Sequence, residues 1–130
     1  MNAKDLMIGD WVEYTTQAGK REKGRVTSIQ DFGSRELVKV NGNSHNDTNN
    51  EITPIEITPE LFVNNGWEKG INNYYLKYDN DIYPIPFVVE YVPVNKALFI
   101  NETLIPRPIT YVHELQHALR LCEIREEVKI

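Results

Sequence analysis

One cysteine, Cys122, is present among 130 residues. That excludes an intrachain disulfide and any zinc cluster built from cysteine pairs, and it fits a reducing compartment. Long apolar runs are also missing. No stretch approaches the ~18 consecutive apolar residues of a membrane-crossing helix, and the opening "MNAKDLMIGDW" lacks the apolar run of a secretory leader. The expected location is the cytoplasm, with no membrane partner. There is no glycine-rich phosphate loop, no G-x-S-x-G elbow and no Cys–His nucleophile arrangement. Positive charge is not in excess either. With 14 Lys/Arg against 19 Asp/Glu the formal net charge is −5, which argues against a protein that coats nucleic acid.

What is present suits a globular protein: 41% apolar and 25% charged residues, at a length typical of one domain or two very small ones. The charge is uneven. Residues 1–40 hold seven Lys/Arg and six Asp/Glu, whereas 41–130 hold seven and thirteen, a mild sign of two different surfaces.

Read along the chain, "DWVEY" alternates as a strand and "RVTSIQ" and "ELVKV" read as a second and a third, separated by the polar hairpin "TTQAGKREKG" and the turn "DFGS". Short strands at ~10-residue spacing predict an SH3-like small β-barrel unit over 1–57, with "EITPIEI" as a closing strand. "NGNSHNDTNN" reads as a loop. A short connecting helix is predicted from the N-cap Thr58 and Pro59 to Gly66. An antiparallel β-meander follows through "NNYYLKY", "IYPIPFVVEYV" and "ALFIN", with Pro84 and Pro86 marking an edge. A C-terminal packing helix runs from about Thr110 to Leu121, and "EEVKI" is a possible last strand. The fold class expected is therefore α+β, with 58–130 as a second part that shares a core with the first or stands apart.

The last helix carries "HELQH", an H-E-x-x-H pattern. On a helix, histidines at i and i+4 share one face and can ligate one zinc ion, while the intervening glutamate acts as general base. His113 and His117 are thus candidate metal ligands and Glu114 a candidate catalytic base. Two arguments oppose this. Catalytic zinc needs a third protein ligand, and only thirteen residues follow His117. Glu123 stands at one suitable spacing, but on a continuing helix it would lie ~9 Å further along the axis. His45, in the Asn-rich segment, could serve only by folding onto this helix. Orientation is the second argument. The apolar stripe Val112, Leu115, Leu119 and Cys122, widened by Tyr111 and Ala118, predicts that His113 and His117 lie opposite it and face solvent.

"DLMIGDWV", "ITPIEITPELFVNNGWEK" and "ITYVHELQHAL" together resemble an uncharacterised family of small proteins from genomes and mobile or phage-like elements of gut Bacteroidetes. The resemblance implies a closing "YVHELQ"-type helix in which the position of His117 is commonly not histidine and that of Glu114 is not fixed. It implies no activity, cofactor or substrate, so H-E-x-x-H would be a local variation.

Two further groups could bind a partner. Lys20, Arg21, Lys23 and Arg25 cluster at the predicted hairpin tip, where Trp11, Tyr14 or Phe32 could offer a stacking face to a phosphate backbone. Tyr74, Tyr75, Tyr78, Tyr83 and Tyr91 are dense enough for a protein interface, although tyrosines also serve to close a small core. The reading preferred from sequence is a non-enzymatic cytoplasmic binding or accessory protein without cofactor. Its partner would be another protein or a second copy of itself. A zinc-dependent hydrolase, or a nucleic-acid-contacting module acting through 20–25, is the alternative.

Overall fold

Val12 and Tyr14 alternate with Trp11, Glu13 and Thr15, and this period of two gives the first strand, β1 (Trp11–Thr15), one buried and one wetter face. The computed structural model describes residues 5–16, 18–31, 33, 36–41, 43–45, 52–78, 87–124 and 127–130. Among them are two antiparallel sheets and two helices, α1 (Pro59–Asn64) and α2 (Val112–Leu121), an α+β chain as expected. No helix among the described residues is long and apolar enough to cross a membrane. The chain forms two compact units, Met1–Glu56 with Tyr111–Ile124, and Ile57–Thr110 with Arg125–Ile130. The last helix thus belongs with the N-terminal strands.

In the first unit β1 is followed by β2 (Arg21–Asp31), β3 (Glu36–Val40), β4 (Asn43–His45) and β5 (Ile52–Thr53), in the sheet order β4-β3-β2-β1-β5. The β1–β2 turn is closed by the Thr16 amide on the Lys20 carbonyl (2.7 Å), with Gly19 at φ +80. The register shifts between Val26 and Ser28, a bulge that bends the long β2. Leu6, Val12, Tyr14, Val26, Val38, Val40 and Ile52 form the core. Gly24 lies in this sheet because a Cβ there would come within 2.8 Å of Val40 and 2.7 Å of the Asn41 amide.

β4 overturns the expectation that 41–50 is wholly loop. Val38 pairs with His45 and Val40 with Asn43, because an edge strand needs ladder hydrogen bonds rather than apolar side chains, and Asn41 takes the positive φ (51°) of the turn. Residues 46–51 lie outside the described residues.

The second unit holds β6 (Glu68–Lys69), β7 (Tyr74–Tyr78), β8 (Phe87–Val92), β9 (Ala97–Ile100) and β10 (Thr103–Leu104), each paired antiparallel with the next. α1 is short but central. Phe62 stacks on Tyr74 (4.9 Å between centroids) and on Tyr91 (5.0 Å), and meets Trp67 edge-on at 4.9 Å. Two of the tyrosines therefore build a core, and the Tyr91 hydroxyl donates to the Ile109 carbonyl at 2.6 Å. Thr58 starts α1 through its backbone, without the side-chain cap its sequence position suggested. The segment 127–130 is not a strand. Lys129 is held instead by the Asn65 side chain, which accepts from its amide at 2.7 Å and donates to its carbonyl at 2.6 Å. Tyr83, Pro84 and Pro86 lie outside the described residues.

Candidate functional site

Two stretches far apart in sequence meet in the first unit: Gly9–Trp11, just before and within β1, and the polar side of α2. Gly9 adopts φ +92, and a Cβ there would stand 3.1 Å from the Arg120 guanidinium. This glycine therefore serves both a turn and a close approach. Its amide donates to the Val26 carbonyl (2.7 Å), and the Val26 amide donates back to the Asp10 carbonyl (2.9 Å). Asp10 is thereby fixed on β2 before its side chain is considered.

That side chain is fully buried. Oδ2 accepts from the Met7 amide at 2.7 Å and lies 2.6 Å from His117 Nε2, while Oδ1 accepts from Arg120 Nη1 at 3.3 Å. A carboxylate out of water is tolerable only with such a set of partners. Beside it the buried Gln116 accepts from the Trp11 amide through Oε1 (2.9 Å) and donates through Nε2 to the Gly9 carbonyl (3.0 Å). One primary amide thus satisfies a donor and an acceptor on either side of Asp10, as a neighbouring strand would.

The motif residues are placed as follows. His113 is buried, its ring parallel to Tyr111 (5.9 Å between centroids) and edge-on to His117 (5.5 Å). Its Nδ1 is buried without a hydrogen-bond partner. Burial lowers its pKa from the usual histidine value, opposed by the Asp10 charge and reinforced by His117, with smaller contributions from Glu114 and Asp5. Glu114 Oε1 accepts from the Tyr111 amide at 3.0 Å, the return half of a capping box at the helix start. The glutamate that a zinc enzyme would use as a base is here engaged in holding its own helix.

The outward orientation expected for the two histidines is therefore incorrect. His113 is buried and His117 is turned toward Asp10, because α2 packs on two sides. Val112, Leu115, Ala118 and Leu119 bury one side, and Gln116, His117 and Arg120 carry the other onto Gly9–Trp11. Cys122, assigned to the apolar stripe, is exposed because the helix has ended at Leu121.

Both rings turn inward, His117 onto the Asp10 carboxylate. Among the described residues no group of three or more His, Cys, Asp or Glu is placed to hold a metal ion. Glu123 is exposed, and the side chain of His45 lies outside the described residues.

The basic cluster also differs from the expected hairpin tip. The Thr16 amide on the Lys20 carbonyl closes the turn, with Lys20 at its end, while Arg21, Lys23 and Arg25 alternate along β2 opposite Thr15, Glu13 and Trp11. Arg25 lies over the Trp11 ring, 4.7 Å from its centroid. Tyr75 belongs to the second unit. It faces Glu90 and Glu68 across the sheet and lines an open groove of about 560 Å³ with Lys77, Val88 and Asn101. A hydrogen bond to Glu68 and its negative charge raise the Tyr75 phenol above its usual value of 10.0. Phe32 lies outside the described residues.

Sequence reasoning missed Asp10 and Gln116. A signal existed: His113, Gln116, His117 and Arg120 fall at i, i+3, i+4 and i+7, a polar stripe as regular as the apolar one. Compared with protein-family models, curated proteins and solved structures, the chain matches none.

Proposed function

We propose that the chain is a non-enzymatic binding or accessory protein acting in the cytoplasm. One observation carries this reading: two of the side chains that would make H-E-x-x-H catalytic are already engaged, Glu114 on the Tyr111 amide at the start of its own helix and His117 on the buried Asp10. A zinc ion on His117 Nε2 would have to enter between that nitrogen and Asp10 Oδ2, which stand 2.6 Å apart. The partner is a macromolecule met through surface residues.

The same proposal places the chain in the small-protein family of mobile elements that it resembles. Two of the three stretches that carry that resemblance, "DLMIGDWV" and "ITYVHELQHAL", are joined here. It also assigns the first unit to the SH3-like barrels, supported by the order β4-β3-β2-β1-β5 and by the bend in β2.

The zinc-hydrolase reading retains one observation in its favour, the buried and unpartnered Nδ1 of His113 beside His117. Metal analysis separates the two readings. Protein produced in zinc-supplemented medium and passed through gel filtration is expected to carry far less than one zinc per chain. Stoichiometric zinc that disappears in His117→Ala would establish the hydrolase reading instead.

A further inference from the structure

We propose that the outer face of the first sheet binds the backbone of single-stranded nucleic acid; this rests on the non-enzymatic reading above and names the partner. Val12, Tyr14, Gly24 and Val26 are buried, so the register turns Trp11, Glu13 and Thr15 of β1 and Arg21, Lys23 and Arg25 of β2 to the opposite face. Lys39 shares that face, since it stands between the buried Val38 and Val40 of β3. Lys20 leads into the row from the turn. An acidic chain has thus gathered Arg21, Lys23, Arg25 and Lys39 on one sheet face, with Glu13 as an opposing charge among the described residues.

The spacing favours a phosphate chain over an acidic protein segment. Alternate residues of a strand stand ~6.8 Å apart, close to the repeat of successive phosphates in an extended single strand. Arg21 is already oriented: Glu13 pairs with its Nε at 3.3 Å, Thr15 accepts from Nη1 at 2.6 Å, and Thr53 accepts from Nη2. At the other end of the row the Arg25 guanidinium lies over the Trp11 ring, a layered planar surface on which an unpaired base can stack. Base stacking requires an exposed ring face, which a duplex does not present. Single strands are therefore the ligand.

The test is fluorescence anisotropy of the full chain with a labelled mixed-sequence 12-nucleotide RNA and the same DNA, between 50 and 200 mM salt. Three to four phosphate contacts at about 0.7 per phosphate give a log–log salt slope of about −2 to −3, and so a loss of affinity of roughly 20- to 60-fold over that range. Lys23→Gln and Lys39→Gln should each lower the slope by about 0.7, and Glu13→Gln should tighten binding. All three are surface changes that leave the core untouched. Absence of salt-dependent binding at 50 mM, indifference to the two lysine changes, or equal binding of a duplex or of polyglutamate would overturn the proposal. Such a failure in zinc-free protein removes this surface alone, whereas stoichiometric zinc removes the reading beneath it.

Discussion

A carboxylate taken wholly out of water has to be surrounded by donors, and Asp10 is, by the Met7 amide, His117 and Arg120. His113 is the opposite case: a buried imidazole whose Nδ1 has no partner and whose pKa burial depresses. The consequence for stability has a definite sign. The unfolded chain binds this proton near pH 6.5, while the folded chain binds it only at lower pH. Between those two values the unfolded state holds more protons, so folding weakens as pH falls below about 6.5 and is indifferent to this group above it. His113→Leu should therefore flatten the decline of denaturant midpoint between pH 7 and pH 5. An unchanged pH profile in the variant would refute the assignment. Neither Asp10 nor the burial of His113 is visible in hydropathy, which treats both as surface residues.

At the scale of elements, patterns that depend on one physical cause were readable. Period-two alternation marked β1, β3 and β7, the apolar run "ALFIN" marked β9, and Pro59 with Gly66 bracketed α1. Elements held mainly by backbone pairing were missed. β4, β6 and β10 are two or three residues long and carry little hydropathy signal of their own. α2 was located, but only its apolar stripe was legible; its second packed side is built from hydrogen bonds to the backbone of Gly9 and Trp11.

α2 ends at Leu121, where the sequence pattern placed its end, and the chain then turns. The Glu123 amide bonds the Arg120 carbonyl (3.0 Å) and the Ile124 amide bonds the Leu119 carbonyl (2.9 Å), with Ile124 and Leu119 both buried. These are the two bonds of a Schellman motif, with a glutamate at φ 58 where glycine is the usual residue. Glu123→Gly should stabilise the protein by about 1 kcal/mol, the order of the left-handed penalty for a side chain. Urea denaturation would report this as a higher midpoint at unchanged slope. A midpoint equal to or below that of the parent would contradict the motif.

At the scale of the whole chain, the first unit is completed by a helix more than fifty residues beyond its last strand. The return of Tyr111–Ile124 is fixed by a bridge between Glu56 and Tyr111, the Val112 amide on the Ile55 carbonyl (2.9 Å), and the polar network around Asp10. A sequence boundary near residue 57 divides the chain where the contiguous part of this unit ends, but it cannot indicate which later segment comes back. That information lies in the complementarity of Asp10 to His117 and Arg120, which are 107 and 110 residues away.

The most direct test is a double-mutant cycle on Asp10→Asn and His117→Ala. It would be followed by Trp11 fluorescence in a Trp67→Phe background, so that the first unit alone is read. If the motif histidine fastens the helix, the two changes are non-additive, with a coupling of about 1–3 kcal/mol. Additive losses, with coupling near zero, would contradict the account and return His117 to a role outside the architecture of the unit.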